Sequence, residues 1–220
     1  MTQRSSGPTA AIAGISPGVQ SHGIWAGRRQ LFVRFAAEAE TAVLYSGEML
    51  AKQIDRAAGQ TPLHSICFGG RDPLASAAMI SAAFQQWKPP IPVMLDCDGQ
   101  RPESLAEVFS GITLLQVTFE FADAPAVADR ALASLGSAAH AGKEHAAVLA
   151  PREGTSDGQI MRFVEQAHAA APGTSIIIHP WLSGERGTVD RRYASLLERA
   201  MAIHRDTRLA MRIPGPVGVR

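Results

Sequence analysis

The chain has 220 residues, of which 46% are hydrophobic and 19% charged, a balance that suits one globular domain with a sizeable core and excludes a disordered chain. Its formal net charge of +1 argues against a broad basic face for nucleic acid, because neutralising phosphates takes clustered Lys and Arg, and the adjoining pairs Arg28-Arg29 and Arg191-Arg192 read as solvated surface. No apolar run approaches the ~20 residues that cross a bilayer, and no apolar leader marks the N-terminus, so a cytoplasmic protein without a membrane partner is expected.

Residues 1–14, rich in Ser, Thr, Gly and Ala, read as a flexible tail ahead of a single domain over 15–220. A strand is expected over 30–36, then a helix over 47–58 and a strand over 64–68. A helix over 73–87 leads to a strand over 92–97, a helix over 102–109 and a strand over 112–121. The helix expected over 125–141 is followed by a strand at 145–150, a helix at 156–170, a strand at 175–180, a helix at 191–204 and a strand at 207–213. Pro73, Pro102 and Pro125 suit a first helical turn, where a missing N–H costs nothing, and Ser156 or Asp157 suits a cap. Runs apolar on both faces, such as "SIIIH" and "PVMLDC", belong in a parallel sheet covered by helices. Strict alternation implies right-handed βαβ crossovers. The fold class is therefore α/β with a mainly parallel sheet. The length is short for a full eight-unit barrel of ~250 residues, and both an open or partial barrel and a doubly wound sheet fit.

In either architecture ligands bind at the carboxyl ends of the strands, which directs attention to the residues just past each one. "FGGRDPL" (68–74) and "DCDG" (96–99) are such stretches. Gly69 and Gly70 would let the backbone approach a ligand, although a plain βα turn uses glycines equally. Asp96 and Asp98 would hold a ribose or an amine, and Asp98-Gly99 is also ordinary turn chemistry. Glu38 and Glu40, two apart after the first expected strand, are either an acid/base pair or a solvated loop. His179, before Pro180 and Trp181, is either a rim or core histidine or a catalytic one. The other histidines lack metal-site spacing. Cys67 and Cys97, 30 residues apart in apolar runs, allow a disulfide but fit two buried reduced thiols better.

These stretches together resemble the radical S-adenosylmethionine (SAM) superfamily, most closely the 7-carboxy-7-deazaguanine synthase family. That family opens roughly T-x-Q-G-E-G-x-x-A-G-R-P-x-x-F-x-R-F-A-G-C. Laid on "GVQSHGIWAGRRQLFVRFAAE", the pattern matches at Gln20, Gly23, Ala26, Gly27, Arg28, Phe32, Arg34, Phe35 and Ala36. The family's G-G-E-P-L looks like "GGRDPL" with one extra residue, and its E-T-N-G looks like "DCDG". The resemblance covers nearly the whole chain. It implies a partial (β/α)6 barrel, a SAM-contacting role for Gly69, Gly70, Asp72, Asp96 and Asp98, and substrate contacts at Gln20 and Arg28.

The departures limit what the resemblance implies. The family's C-x-x-x-C-x-x-C loop binds a [4Fe–4S] cluster through three thiolates, whereas Glu38 stands at the first cysteine position and no cysteine precedes Cys67. Carboxylates are poor substitutes for thiolates on iron–sulfur centres. His22 replaces the glutamate of Q-G-E-G, and "IPGPVGV" replaces the closing I-P-Q-x-H-K. No [4Fe–4S] cluster or other cofactor is expected, residual SAM binding apart, and radical chemistry is lost. Two functions remain in view. One is a binding or partner subunit, with a protein partner or a second copy of the chain and a small nucleoside-like ligand. The other is an enzyme with acid/base chemistry on a nucleoside-, pterin- or amino-acid-like substrate, using Glu38, His22 and His179. No metal site is expected.

Overall fold

The computed structural model describes residues 7–121, 125–180 and 191–210. Trp181, the closing "IPGPVGV" motif and the end of the last expected strand lie outside them. Among these described residues nine strands and five α-helices follow in the order β1 (Thr9–Val19), β2 (Arg29–Phe35), β3 (Val43–Ser46), α1 (Gly47–Ala58), β4 (Ser65–Gly70), α2 (Ala77–Gln86), β5 (Val93–Cys97), β6 (Leu114–Glu120), α3 (Pro125–His140), β7 (Glu144–Ala150), α4 (Asp157–Ala170), β8 (Ser175–Ile178), α5 (Arg191–Ile203) and β9 (Thr207–Leu209). All seven expected strands are present. The expected helix over 102–109 is instead a 3₁₀ turn at Pro102–Glu107, and another 3₁₀ turn at Pro73–Ser76 leads into α2. Pro73 and Pro102 each sit at the start of their turn, as their fixed φ favours. Ser156 caps α4 in a reciprocal box with Gln159.

The strands form one sheet in the order β3-β1-β2-β4-β5-β6-β7-β8-β9. From β2 onward every pair is parallel, while β1 runs antiparallel to both β2 and β3. Residues 9–14, read above as tail, thus form the first half of β1, and Ile12 pairs with Phe35 on one side and Val43 on the other. Their composition hides this. Ala and Gly carry little intrinsic strand preference, and only the pairing on both flanks makes the segment a strand.

The order of the parallel strands never reverses, so the doubly wound alternative is excluded. Right-handed crossovers in an unreversed sheet put every helix on one side. Alternation along the strands confirms it. Ile66 and Phe68, Leu95 and Cys97, Leu115 and Val117, Ala147 and Leu149, and Ile176 and Ile178 share a core with residues of all five α-helices, including Leu50, Ile80, Leu135, Val164 and Leu196. The sheet is open, with β3 and β9 as its edges. Among the described residues no helix is long and apolar enough to cross a membrane.

Among the described residues the other face carries no helix. Cys67, Met94, Leu114, Ala146, Val148 and Ile177 form a small cluster there, covered partly by Ile24 and Trp25. Those two belong to the β1–β2 loop, which closes on itself through Gln20 N to Arg28 O (2.9 Å) and Gly27 N to Gln20 O (2.8 Å). The loop lies on the sheet closely enough that a β-carbon on Gly23, at φ +81°, would fall 1.8 Å from Gln116 Oε1. Cys67 belongs to this face and Cys97 to the helix-covered one, so both are buried free thiols rather than a disulfide.

Candidate functional site

At the carboxyl edge of the helix-free face the apolar cluster gives way to polar side chains. Period-two alternation continues Cys67 into Gly69, Met94 into Asp96, and Leu114 into Gln116 and Thr118. Two adjoining clefts open there. One, of about 470 Å³, is lined by His22, Gly70, Asp72, Asp96, Asp98 and Thr118 among others. The second, of about 580 Å³, runs between the β1–β2 hairpin and the strand ends and is lined by Gln20, Ser21, His22, Arg34, Gly69 and Asp96 among others. His22, Gly70 and Asp96 line both.

Asp96 is the hub. One carboxylate oxygen faces His22 Nε2 at 3.1 Å, and the other accepts a hydrogen bond from Thr118 Oγ1 at 2.8 Å. His22 Nδ1 faces Ser21 Oγ at 3.2 Å. Side-chain exposure is 25% for His22 and 16% for Asp96, low enough for the pair to be felt and high enough for a ligand to reach it. The ring of His179, 8% exposed, lies 5.9 Å from that of His22, and His179 lines neither cleft.

Gly70 takes φ +98°, and a β-carbon would lie 2.5 Å from Phe35 O. The tight βα turn therefore demands glycine, and Arg71 N returns to Phe35 O at 3.0 Å. Asp72 follows with φ 42° and binds Arg101 Nε through both oxygens, at 3.0 and 2.9 Å. Asp98 Oδ1 accepts from Gln100 N at 3.0 Å, the turn chemistry its Asp-Gly sequence suggests, while its carboxylate still lines the smaller cleft.

Two expected site residues are elsewhere. Glu38 is exposed between β2 and β3 and lines neither cleft. Its neighbour Glu40 turns back to pair with Arg34 and to accept from Ala37 N. The Ala37 amide and then Arg34 hold the Glu40 carboxyl below its usual range. Of the two readings of Glu38 and Glu40, the geometry is that of the loop, held by the Arg34–Glu40 ion pair. Arg28 is exposed and contributes its backbone to the loop closure rather than its side chain to a cleft. Gln20, in contrast, is 2% exposed, lines the larger cleft, and its Nε2 has no hydrogen-bond partner among the described residues.

Ser21, Arg34 and Thr118 line the clefts without having been expected there, and Gln116, fully buried, holds the β1–β2 loop by accepting from Ile24 N at 3.3 Å. The signal for the last two is legible in "LLQVTFE", where polar residues two apart interrupt a buried strand and so share one face. Cys67 lines the larger cleft as well. Burial, reinforced by the Asp96 carboxylate, pushes its thiol well above the usual range, so it stays protonated. Among the described residues no group of three or more His, Cys, Asp and Glu converges on a metal position.

No family model matches the sequence, and no curated protein matches it. Among solved structures it is similar to the carboxyl transferase domain (Y628A) of Rhizobium etli pyruvate carboxylase with pyruvate, at 11% identity and a TM-score of 0.28. The match covers 68% of this chain and 34% of that one, so the chain spans about a third of its length.

Proposed function

We propose that this protein is a cluster-less relative of the radical SAM enzymes, nearest the 7-carboxy-7-deazaguanine synthase family, that binds a small polar, nucleoside-like ligand and serves as a binding or partner subunit. In this reading the singly wound sheet is the partial (β/α)6 barrel of that superfamily. One observation carries the reading. The glycine turn and the acidic strand end that resemble the family's SAM contacts open onto the same cleft, through Gly70, Asp72, Asp96 and Asp98. The segment after Phe35, where the family's thiolates stand, holds no cysteine, and an Arg34–Glu40 ion pair occupies its start. Three thiolates are the minimum that leaves one iron open for SAM. Without them no electron reaches the sulfonium, and its C–S bond stays intact.

The carboxylate of Asp98 suits ligand hydroxyls or an amine, both of which donate hydrogen bonds, and the exposed Gly70 turn allows a flat group to approach the backbone. A ligand that binds only the folded chain raises its unfolding temperature. Titration with SAM, S-adenosylhomocysteine and free nucleosides is expected to raise that temperature for the native chain, and Asp98→Asn is expected to weaken the effect at least about tenfold. Silence toward all three compounds would remove the ligand from the proposal.

A second reading, acid/base chemistry at the same strand ends, is favoured by the His22–Asp96 contact at 3.1 Å. An imidazole oriented by a carboxylate is the usual arrangement of a general base. Recovery of a stabilising ligand unchanged after long incubation supports binding, whereas its conversion moves the function to this second reading.

A further inference from the structure

We infer that Ser21, His22 and Asp96, with Gln20 beside them, form a nucleophilic acyl-transfer site in the larger cleft, one that takes small ester or thioester substrates. The inference rests on the acid/base reading of the His22–Asp96 pair and goes beyond it by naming a nucleophile and a substrate class. Three observations converge.

The first is tautomer control. A carboxylate only accepts hydrogen bonds, so the tautomer that satisfies the contact with Asp96 presents His22 Nε2–H to it. A neutral ring then leaves Nδ1 as an acceptor, and the group at Nδ1 is the Ser21 hydroxyl, 3.2 Å away. Nucleophile, base and orienter follow in the order a serine hydrolase requires, with the two ring nitrogens exchanged. Thr118 Oγ1, donating to the other oxygen of Asp96 at 2.8 Å, fixes that carboxylate in turn.

The second is an unclaimed donor. Gln20 Nε2 is buried, has no hydrogen-bond partner among the described residues, and belongs to a residue lining the same cleft as Ser21. Burying an amide N–H without a partner costs about 1–3 kcal/mol, a cost that a bound acceptor would relieve. A side-chain amide facing a developing oxyanion is a known stabiliser of acyl-transfer intermediates. The third is the state of the neighbouring nucleophiles. Ser16 and Cys67 also line the cleft, but the His22 ring nitrogen faces the Ser21 hydroxyl, and the Cys67 thiol is held protonated by burial and by Asp96.

The step balances without an oxidant or reductant. Ser21 Oγ attacks the acyl carbon, its proton passes to His22 Nδ1, and the carbonyl π pair moves to the oxygen facing Gln20. Collapse breaks the bond to the alcohol or thiol, which leaves with the proton from Nδ1. Water then attacks the acyl-Ser21 ester and gives its proton to Nδ1. Collapse of this second intermediate breaks the bond from the acyl carbon to Ser21 Oγ, which takes the proton back from Nδ1 as the carboxylic acid departs.

The test uses the full chain with a fluorophosphonate and with p-nitrophenyl acetate. The expected result is one phosphonyl group per chain, mapped by mass spectrometry to Ser21, and a burst of p-nitrophenol. Ser21→Ala is expected to abolish the adduct and the burst while leaving ligand stabilisation of the smaller cleft in place. His22→Asn is expected to slow labelling by about a hundredfold or more. Asp96 acts through His22 and is a positioning residue, so Asp96→Asn should lower kcat with KM little changed, and Asp96→Glu should restore part of it. A native chain that takes no label, or label and turnover that persist undiminished in Ser21→Ala, overturns the inference. If Ser21→Ala does not fold, the site of the adduct on the native chain decides alone. Absent labelling with intact ligand binding sinks the serine and leaves the binding proposal standing.

Discussion

At Gly70 the backbone takes φ +98°, and an added methyl would press within 2.5 Å of Phe35 O and 2.8 Å of Phe35 N. Neither atom can retreat, because both belong to the backbone of a central strand. Gly70→Ala is therefore expected to cost about 2–3 kcal/mol, from left-handed strain plus overpacking, read as a shift in the urea midpoint at unchanged slope. Glycines at a strand end announce a turn, and this one was legible as such. Asp96 was legible by the same rule, since it closes an apolar strand. Its partners were not. His22 and Thr118 lie 74 and 22 residues away in sequence, and no local pattern reports such a meeting. Glu38 shows the limit of the same rule. It sits just past a strand, but the chain turns outward there, with Ala39 at φ 61°.

Among the elements, the β8–β9 edge carries a charge whose protonation matters. Asp206 lies just before β9 and accepts from Ser175 Oγ at the start of β8 and from Arg208 in β9. Partial burial raises its carboxyl, but the Ser175 and Arg208 bonds outweigh that and hold it below the ordinary value. A carboxyl depressed in the folded state stabilises fully above its unfolded pKa, and the contribution disappears as pH falls through the folded value. Asp206→Asn should thus lower the unfolding temperature near pH 7 and narrow the gap to the native chain near about pH 3. Equal gaps at both pH values would show that the carboxylate does not act through its charge. Reading these elements from the sequence worked best where apolar runs were long and β-branched, as in β6 and β8. It failed at β3, four residues that run straight into α1, too short to show a period. It also failed at Pro102–Glu107, where two charged residues and a proline in six residues yield a 3₁₀ turn rather than an α-helix.

For the whole molecule the consequential strand is the one that composition concealed. β1 bridges β2 and β3, and Ala10 and Ile12 are 5% and 2% exposed. A chain beginning at Ile15 would lose both side chains and the ladder that holds β3. Its stability is expected to fall by more than about 3 kcal/mol, measured by denaturant unfolding. A truncated chain as stable as the native one would mean that residues 9–14 add nothing to the fold. The α/β class and all seven parallel strands could be read from the sequence because burial on both faces leaves continuous apolar runs, whereas β1 depends on partners far along the chain. The two compartments at the carboxyl edge share one imidazole, one carboxylate and one glycine, with the imidazole and carboxylate held against each other. Turning that ring alters the outline of both at once. Occupancy of one is then coupled to the shape of the other through a side-chain torsion and not through movement of the sheet.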